Sequence, residues 1–318
     1  MKRILITGGL GYVGGRVAAA VATDPAYQAV LTTRSKEVTQ VDWLPQAEVI
    51  ALDLMSDEAC LQACKDIDTV VHLAALNEID SGKDPQQALQ VTGLGSLKLL
   101  QAAQAAEVPR FIYFSTAHVY KAPLVGTIDE EAVPRPAHPY AITHKTAEDF
   151  VLAAGDRTPI QTLVIRLSNG FGAPTHAAVN RWTLVANDLC RQAVTTGKLT
   201  LKSPGLQWRD FVTLEDVGRA VHHFLTPETD WGNGIFNLGG ENPLRIIDVA
   251  EIIQQRCQAI LGFTPAIQRP DPKPGEACES LDYRVDKLKA TGFALQGNIE
   301  REIDATLKLC KDSFGLDQ

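Results

Sequence analysis

The sequence contains no apolar run of the roughly 20 residues that a membrane-spanning helix requires. It also shows no signal peptide, because Met1-Lys2-Arg3 leads directly into a strand-like segment that a glycine turn follows. Positive charge is scarce as well, since 30 lysine and arginine residues stand against 38 aspartate and glutamate residues. Nucleic-acid backbones are bound by basic faces. We therefore expect neither a membrane nor a nucleic-acid partner.

Paired cysteine motifs are also missing. None of the six cysteines forms a Cys-x-x-Cys pair. Cys60 and Cys64 lie one helical turn apart, but no histidine or second cysteine pair stands nearby at metal-ligand spacing. We expect all six thiols to be reduced, no metal to be bound, and the protein to be cytoplasmic.

Glycine, in contrast, is concentrated near the N-terminus. The apolar segment Ile4–Ile6 predicts a strand buried on both faces of a parallel sheet, and Val17–Val21 predicts a helix. The Gly-x-Gly-x-x-Gly pattern between them permits a tight turn and a close approach of backbone N–H groups to a pyrophosphate. The helix N-terminus adds partial positive charge. We expect this segment to bind a dinucleotide through Gly8, Gly11, Tyr12, Val13 and Gly14.

Two further positions bear on the adenosine half of the dinucleotide. After the second predicted strand, an acid would bind the 2′-hydroxyl of NAD, whereas an arginine would accommodate the 2′-phosphate of NADP. The sequence has Arg34 there and no acid, so we expect NADP to be preferred, with NAD as the alternative cofactor. Arg34 could instead be a solvated loop cation. Asp53, which Leu54 follows, is expected to bind the adenine amino group or, alternatively, to cap a turn.

Short apolar segments alternate with helical stretches in the first half of the chain. They lie at residues 4–6, 29–33, 49–52, 69–75, 110–115 and 162–166. This alternation predicts an α/β fold with a doubly wound parallel sheet of the Rossmann type, whose ligands bind at the carboxyl ends of the strands. We expect a cofactor-binding domain over 1–166 and a smaller, mainly substrate-binding α/β domain over 167–318. Helix 214–225, capped by Thr213, is expected to return to the first domain.

The ends of the later strands carry the polar chemistry. Thr116 follows the fifth strand, and a helix opens at Pro139-Tyr140. Tyr140, His144 and Glu148 recur every four residues, so they share one helical face. Lys145 lies about 100° further round the helix than His144. A flat ligand could approach the end of the fourth strand, where the expected cofactor contacts are Leu73, Ala74 and Ala75.

Six motifs in this order resemble those of the extended short-chain dehydrogenase/reductases, the NAD(P)-dependent epimerase/dehydratase family, which acts largely on nucleotide-linked sugars. The resemblance covers almost the whole chain. Its motifs are Thr7-Gly-Gly-Leu-Gly-Tyr-Val-Gly14, Val71-His-Leu-Ala-Ala75, Ser115-Thr-Ala-His-Val-Tyr120, Pro139-Tyr-Ala-Ile-Thr-His144, Arg166-Leu-Ser-Asn-Gly-Phe-Gly172 and Arg209-Asp-Phe-Val-Thr-Leu-Glu-Asp-Val217.

The resemblance implies that Thr116 and Tyr140 are catalytic. A hydroxyl near a carbonyl steadies developing oxyanion charge, and a tyrosine of lowered pKa exchanges the proton as hydride moves to or from a nicotinamide. The family has a lysine four residues after this tyrosine, where it binds the nicotinamide ribose and helps to lower the tyrosine pKa. Here that residue is His144, whose effect on the pKa of Tyr140 is expected to be weaker. Alternatively, Lys145 swings into the lysine's place.

The resemblance also implies a substrate site in the second half. Asn169 would contact a sugar diphosphate, Arg209 would pair with its phosphates, and Thr116 would face the sugar. Lys273 stands where the family usually has a second phosphate-binding arginine, and a lysine cannot bind bidentately. The alternative for Arg209 is a simple ion pair with the adjacent Asp210.

These features predict an NADP-preferring 4-epimerase or keto-sugar reductase that acts on a nucleotide-activated sugar. Dehydration is disfavoured, because Ala117-His118 stands where the family's dehydratases have Asp-Glu. The resemblance implies a homodimer formed through the Tyr140 helix and the helix before it. Two alternatives stay open: a dinucleotide-binding sensor that has lost the chemistry, and a reductase of a non-sugar ketone or aldehyde. The latter would be favoured if Arg209 and Lys273 faced solvent.

Overall fold

The computed structural model describes residues 1–226, 228–232 and 234–315. Its strands are β1 (Lys2–Thr7), β2 (Tyr27–Thr33), β3 (Glu48–Ala51), β4 (Thr69–His72), β5 (Arg110–Thr116), β6 (Gly126–Ile128), β7 (Gln161–Leu167), β8 (Asn169–Phe171), β9 (Lys198–Thr200), β10 (Trp208–Thr213), β11 (Ile235–Leu238), β12 (Pro243–Arg245), β13 (Ala266–Gln268) and β14 (Leu281–Tyr283).

Its α-helices are α1 (Tyr12–Val21), α2 (Asp57–Ala63), α3 (Glu78–Lys83), α4 (Pro85–Ala88), α5 (Gly95–Ala105), α6 (Pro139–Arg157), α7 (Val185–Thr196), α8 (Leu214–Leu225), α9 (Ile246–Leu261), α10 (Asp286–Ala290) and α11 (Ile299–Phe314). A π-helical segment, Leu89–Leu94, joins α4 to α5, and a 3-10 turn, Ala117–Val119, follows β5. In this described part of the chain, no helix is both long and apolar enough to cross a membrane.

The central sheet has seven parallel strands in the order β11-β7-β5-β4-β1-β2-β3. All six strands expected from the sequence are in it, which confirms the doubly wound α/β fold. The fourth ends at His72, three residues earlier than expected. β11 was not expected from the sequence, because this four-residue strand belongs to the irregular second half and is defined only by its pairing with β7.

Helices cover both faces of the sheet. Alternate residues of β1 point to opposite faces, so Ile4 and Ile6 pack with α1 and α8, whereas Leu5 packs with α2, α5 and α6. These three residues are fully buried, as expected for a strand at the centre of a parallel sheet.

Helix α8 packs against α1 of the first half. The Thr213 hydroxyl caps it by accepting the Asp216 N–H at 3.1 Å. A Cβ added at Gly218 would lie 2.7 Å from the Cβ of Ala20, so the glycine allows α8 to lie close against α1. The second half has its own core under α7, α9 and α11 and a small sheet in the order β12-β10-β8, which begins directly after β7.

Candidate active site

The glycine turn between β1 and α1 forms a cradle that larger residues would fill. Gly8 has a φ of +68°, and a Cβ at Gly14 would lie 2.2 Å from the carbonyl oxygen of Gly8. Gly11 is the N-cap of α1 and offers no side chain to the first-turn N–H groups. These N–H groups and the helix dipole suit a pyrophosphate, so the residues present fit a dinucleotide.

The neighbouring strand end lies close to this cradle. An added Cβ at Gly8 would come within 3.1 Å of the backbone nitrogen of Ala74. Leu73 and Ala74 donate their N–H groups to the Thr7 hydroxyl at 3.2 and 3.3 Å, and Ala75 follows them on the same edge. The expected contacts of the first and fourth strands therefore meet at one edge of the sheet.

Arg34 and Asp53 lie at the ends of the next two strands, and both are exposed. Arg34 has no ion pair among the described residues. Asp53 caps a turn by accepting the Met55 N–H at 2.9 Å, and the half-buried Leu54 lies between them in the chain. The turn-capping role considered for Asp53 is thus present, and it leaves the carboxylate open to solvent.

A cavity of about 510 Å³ lies between the two halves of the chain. Thr116 and Tyr140 line it from the first half, and Asn169 and Arg209 line it from the second. Tyr12 and Val13, at the start of α1, line the same cavity, so it opens beside the glycine cradle. Among the described residues, no group of three or more histidine, cysteine, aspartate or glutamate side chains is placed to hold a metal ion.

Thr116 and Tyr140 supply two hydroxyls to this cavity. Thr116 is the last residue of β5, and its hydroxyl accepts the His118 N–H at 3.3 Å. Tyr140 is the second residue of α6, where Pro139 favours a helix start. Burial raises the pKa of Tyr140 to about 12, and the charge of Glu78 adds to this rise. The direction is opposite to the lowered pKa that the resemblance implies for a catalytic tyrosine.

His144 lies one turn below Tyr140 and is 4% exposed. Its ring meets the Tyr140 ring edge to face at 4.5 Å between centroids, and its Nδ1 lies 2.8 Å from the Tyr113 hydroxyl. Its Nε2 is buried without a hydrogen-bond partner in the described structure. Burial lowers the pKa of His144 to about 4, so the ring is neutral at pH 7.

The register of α6 separates His144 from its neighbour. Lys145 forms an ion pair with Asp149 instead of reaching Tyr140. Glu148 continues the buried face, where it binds the Arg166 guanidinium through two hydrogen bonds of 3.0 and 2.9 Å. The structure therefore places His144, and not Lys145, beneath Tyr140.

Arg209 does not pair with Asp210. The buried Asp210 carboxylate accepts the Ser168 hydroxyl at 2.6 Å and the N–H groups of Gly240 and Asn242. The Arg209 guanidinium donates to the carbonyl of Trp208 and to the side chain of Gln207, and Arg209 lines the cavity. The simple ion pair considered for Arg209 is therefore wrong.

Asn169 and Lys273 differ in where the structure places them. Asn169 lines the cavity, and its amide donates to the Asp210 carbonyl at 3.0 Å. Lys273 lies in an exposed loop and is not among the cavity-lining residues. Lys202, which follows β9, is a lysine that does line the cavity. No sequence motif pointed to it.

An ion pair at the cavity wall was not expected from the sequence. Glu78 begins α3, and its carboxylate lies 3.1 Å from the guanidinium of Arg181 in the second half. His118, whose pKa is lowered by burial, lines the same wall. His118 stood within a recognised motif, but no local pattern could show that residues 103 positions apart would pair.

All six cysteines have free thiols. Five are buried, and the exposed one is Cys278. Burial raises the pKa of Cys60 to about 11 and that of Cys64 to about 12, so these thiols stay protonated at neutral pH.

Known proteins resemble this chain over most of its length. The model of the NAD dependent epimerase/dehydratase family matches residues 4–239. A dTDP-glucose 4,6-dehydratase of Neisseria meningitidis serogroup B is 30% identical over 320 residues, covering 91% of this chain and 86% of that protein.

Two solved structures share the fold over nearly the whole chain. UDP-glucuronic acid 4-epimerase from Bacillus cereus, in complex with UDP-glucuronic acid and NAD, has a TM-score of 0.80 at 22% identity and covers 98% of this chain and 100% of that one. RMD from Pseudomonas aeruginosa, complexed with NADPH, has a TM-score of 0.77 at 23% identity, with coverages of 98% and 99%. By its family match, its fold and the cradle beside its cavity, the chain belongs to the NAD-dependent epimerase/dehydratase family.

Proposed function

We propose that the chain is an NAD(P)-dependent enzyme that acts on a nucleotide-activated sugar, as a 4-epimerase or a keto-sugar reductase. The observation that carries this proposal is the meeting of Thr116 and Tyr140 with Arg209 in one cavity beside the glycine cradle. Hydroxyls suit a reacting carbonyl or alcohol, and a cavity-facing guanidinium suits a diphosphate.

Tyr140 holds the proton that is exchanged with the sugar oxygen, because its hydroxyl faces the cavity and is protonated at neutral pH. Thr116 donates a hydrogen bond that steadies negative charge on the same oxygen. A bound dinucleotide supplies the hydride acceptor or donor. His144 acts from beneath Tyr140 as a neutral group that binds the nicotinamide ribose.

The residues proposed to hold the dinucleotide surround the cradle and the adjoining strand ends. They are Gly8, Gly11, Tyr12, Val13, Gly14, Arg34, Asp53, Leu54, Leu73, Ala74, Ala75, Tyr140 and His144. The exposed guanidinium of Arg34 supports a preference for NADP. Among the two similar structures described above, one holds NAD and the other NADPH, so the fold accommodates both.

Arg209 and Asn169 are proposed to hold the nucleotide-sugar diphosphate, with Thr116 facing the sugar. Lys273 lies outside the cavity, so we assign the second cation of the site to Lys202. Dehydration stays disfavoured although the relative cited above is named a dehydratase, because Ala117-His118 provides no acid pair beside Thr116.

We propose that residues 1–166 form the cofactor-binding part and residues 167–318 the mainly substrate-binding part. β11 and α8 would return to the cofactor-binding part. We also propose a homodimer. Four large apolar side chains, each at least 41% exposed, lie on the helical segment 85–105 and on α6: Leu89, Leu94, Ile142 and Phe150.

The first experiment releases any dinucleotide from the purified protein by denaturation and identifies it by absorbance and mass spectrometry. Retained NAD would indicate a hydride recycled within each turnover, as in an epimerase. A protein without dinucleotide that binds NADPH far better than NADH would indicate a reductase.

The second experiment tests turnover with UDP-glucose, UDP-N-acetylglucosamine, UDP-glucuronic acid and dTDP-4-keto-6-deoxyglucose. Tyr140→Phe should lower kcat about 10²- to 10⁴-fold while dinucleotide binding persists. Equal turnover by the variant would refute the catalytic role of Tyr140. Dinucleotide binding without turnover of any sugar would favour the sensor, and turnover of simple ketones alone would favour the non-sugar reductase.

A further inference from the structure

A row of buried polar side chains runs under the cavity from the glycine cradle to α6. It consists of Thr7, His72, Ser96, Tyr113 and His144, each at most 4% exposed. His72 and Tyr113 lie on neighbouring strands with ring centroids 5.7 Å apart. The catalytic chemistry proposed above uses only the last member of this row.

The direction of the hydrogen bonds can be worked out from the Thr7 end. The Thr7 hydroxyl accepts the N–H groups of Leu73 and Ala74, so its own proton is directed to His72 Nδ1, which lies 2.5 Å away. Burial lowers the pKa of His72 to about 3, so the ring is neutral and carries its proton on Nε2. That proton is donated to the Ser96 hydroxyl oxygen at 2.8 Å.

The Tyr113 hydroxyl has two neighbours that could accept its proton, Ser96 and His144. The Ser96 hydroxyl donates to the carbonyl of Thr92 at 2.5 Å and already accepts from His72. His144 Nδ1 lies 2.8 Å from the Tyr113 hydroxyl, with hydrogen-bond geometry. If Tyr113 donates to Nδ1, a neutral His144 must carry its own proton on Nε2.

We propose that Tyr113 is a positioning residue for the reaction: its hydroxyl holds His144 in the Nε2–H form, so that His144 presents a neutral donor where the family resemblance implies a lysine. Nε2 is the ring nitrogen left for this donor role, because it is buried and meets no partner with hydrogen-bond geometry in the described structure. The binding of the Nε2–H group to the nicotinamide ribose rests on the proposed function, whereas the position of the proton on the His144 ring does not.

The state of the ring is measured without substrate. Protein labelled with ¹⁵N-histidine gives ring nitrogen signals for its seven histidines, and a His144→Gln variant identifies those of residue 144. We expect His144 to show a protonated Nε2 and an unprotonated Nδ1 between pH 6 and 9. The opposite pattern, with Tyr113 turned toward Ser96, would overturn the proposal.

Tyr113→Phe removes the hydroxyl and keeps the ring. We expect the His144 signals to leave the pure Nε2–H pattern, and kcat to fall about tenfold with the substrate KM unchanged, the size of effect of one lost buried hydrogen bond. Tyr27→Phe is the matched control, because its hydroxyl is also buried but bonds the Leu225 carbonyl at 3.0 Å, away from the cavity. It should change neither readout.

A lysine at position 144 needs no neighbouring hydroxyl to fix which of its atoms carries the proton. Tyr113→Phe should therefore have a smaller effect on kcat in a His144→Lys background than in the native chain. An equal effect in both backgrounds, or unchanged His144 signals in Tyr113→Phe, would show that Tyr113 is merely structural. If no sugar is turned over, the proposed function fails, and the nitrogen signals still decide the state of His144.

Discussion

The rings of Tyr140 and His144 meet edge to face at 4.5 Å, and no side-chain cation of α6 reaches this pair, since Lys145 is engaged by Asp149. The tyrosine therefore has a pKa raised by burial, to about 12, above a neutral histidine. This relationship determines how the site should respond to pH.

In the proposed mechanism, oxidation of a sugar alcohol requires the ionised form of Tyr140. With a raised pKa this form is rare at pH 7, so the oxidation rate should increase about tenfold per pH unit up to at least pH 9. His144→Lys introduces a cation, which should lower the pKa of Tyr140 and move the profile to lower pH. The profile of kcat/KM against pH measures this shift. Lys145→Ala, the control, should leave the profile unchanged. An unchanged profile in His144→Lys would contradict the placement of residue 144 beside Tyr140.

Cofactor choice should depend on Arg34. Arg34→Ala should weaken NADPH binding about 10-fold or more, because a charge-assisted bond to the 2′-phosphate is lost, and should leave NADH binding unchanged. Fluorescence titration with both dinucleotides gives the two dissociation constants. Lys36→Ala, at an exposed cation two residues away, is the control. Equal loss for NADH and NADPH would rule out a 2′-phosphate contact.

Arg209 and Lys273 should differ in their effect on substrate binding. Arg209→Lys keeps the charge but loses the planar fork, so the KM for a nucleotide sugar should increase about tenfold with little change in dinucleotide affinity. Lys273→Ala should leave KM nearly unchanged, since this side chain lies outside the cavity. Steady-state kinetics on the same substrate compares them. A larger increase in KM for Lys273→Ala than for Arg209→Lys would indicate that Lys273, and not Arg209, contacts the diphosphate.

The buried ion pair between Glu148 and Arg166 should matter for stability. Both side chains are at most 3% exposed, so Glu148→Gln leaves an uncompensated buried charge and should lower the free energy of unfolding by about 3–5 kcal/mol. Glu48→Gln breaks the solvent-accessible pair with Arg3 and should cost about 1 kcal/mol or less. Urea denaturation measures both. Similar losses would mean that the α6 pair is not electrostatically isolated from water.

The proposed dimer can be tested at its apolar face. Phe150 is 43% exposed on α6, and Phe150→Glu should convert a dimer to a monomer in light scattering coupled to size-exclusion chromatography. Phe263→Glu changes a side chain of similar exposure, 39%, beyond α9 and should have no effect. A native protein that elutes as a monomer at micromolar concentration would disprove the dimer.

The sequence by itself determined the local features. The glycine turn before α1, the six parallel strands of the first half and the cap of α8 at Thr213 all follow from neighbouring residues, because propensity and periodicity act over a few positions. The shared face of Tyr140 and His144 follows equally from the helical repeat. Each of these features is present in the structure.

Tertiary structure decided what depends on distant partners. β11 is a strand of the main sheet only because β7 pairs with it, and Glu78 meets Arg181 only because the two halves of the chain close over one cavity. Arg209 does not pair with its neighbour Asp210, because Ser168 and two distant N–H groups satisfy that carboxylate. Such contacts are set by burial and by the hydrogen bonds it demands, which no stretch of a few residues encodes.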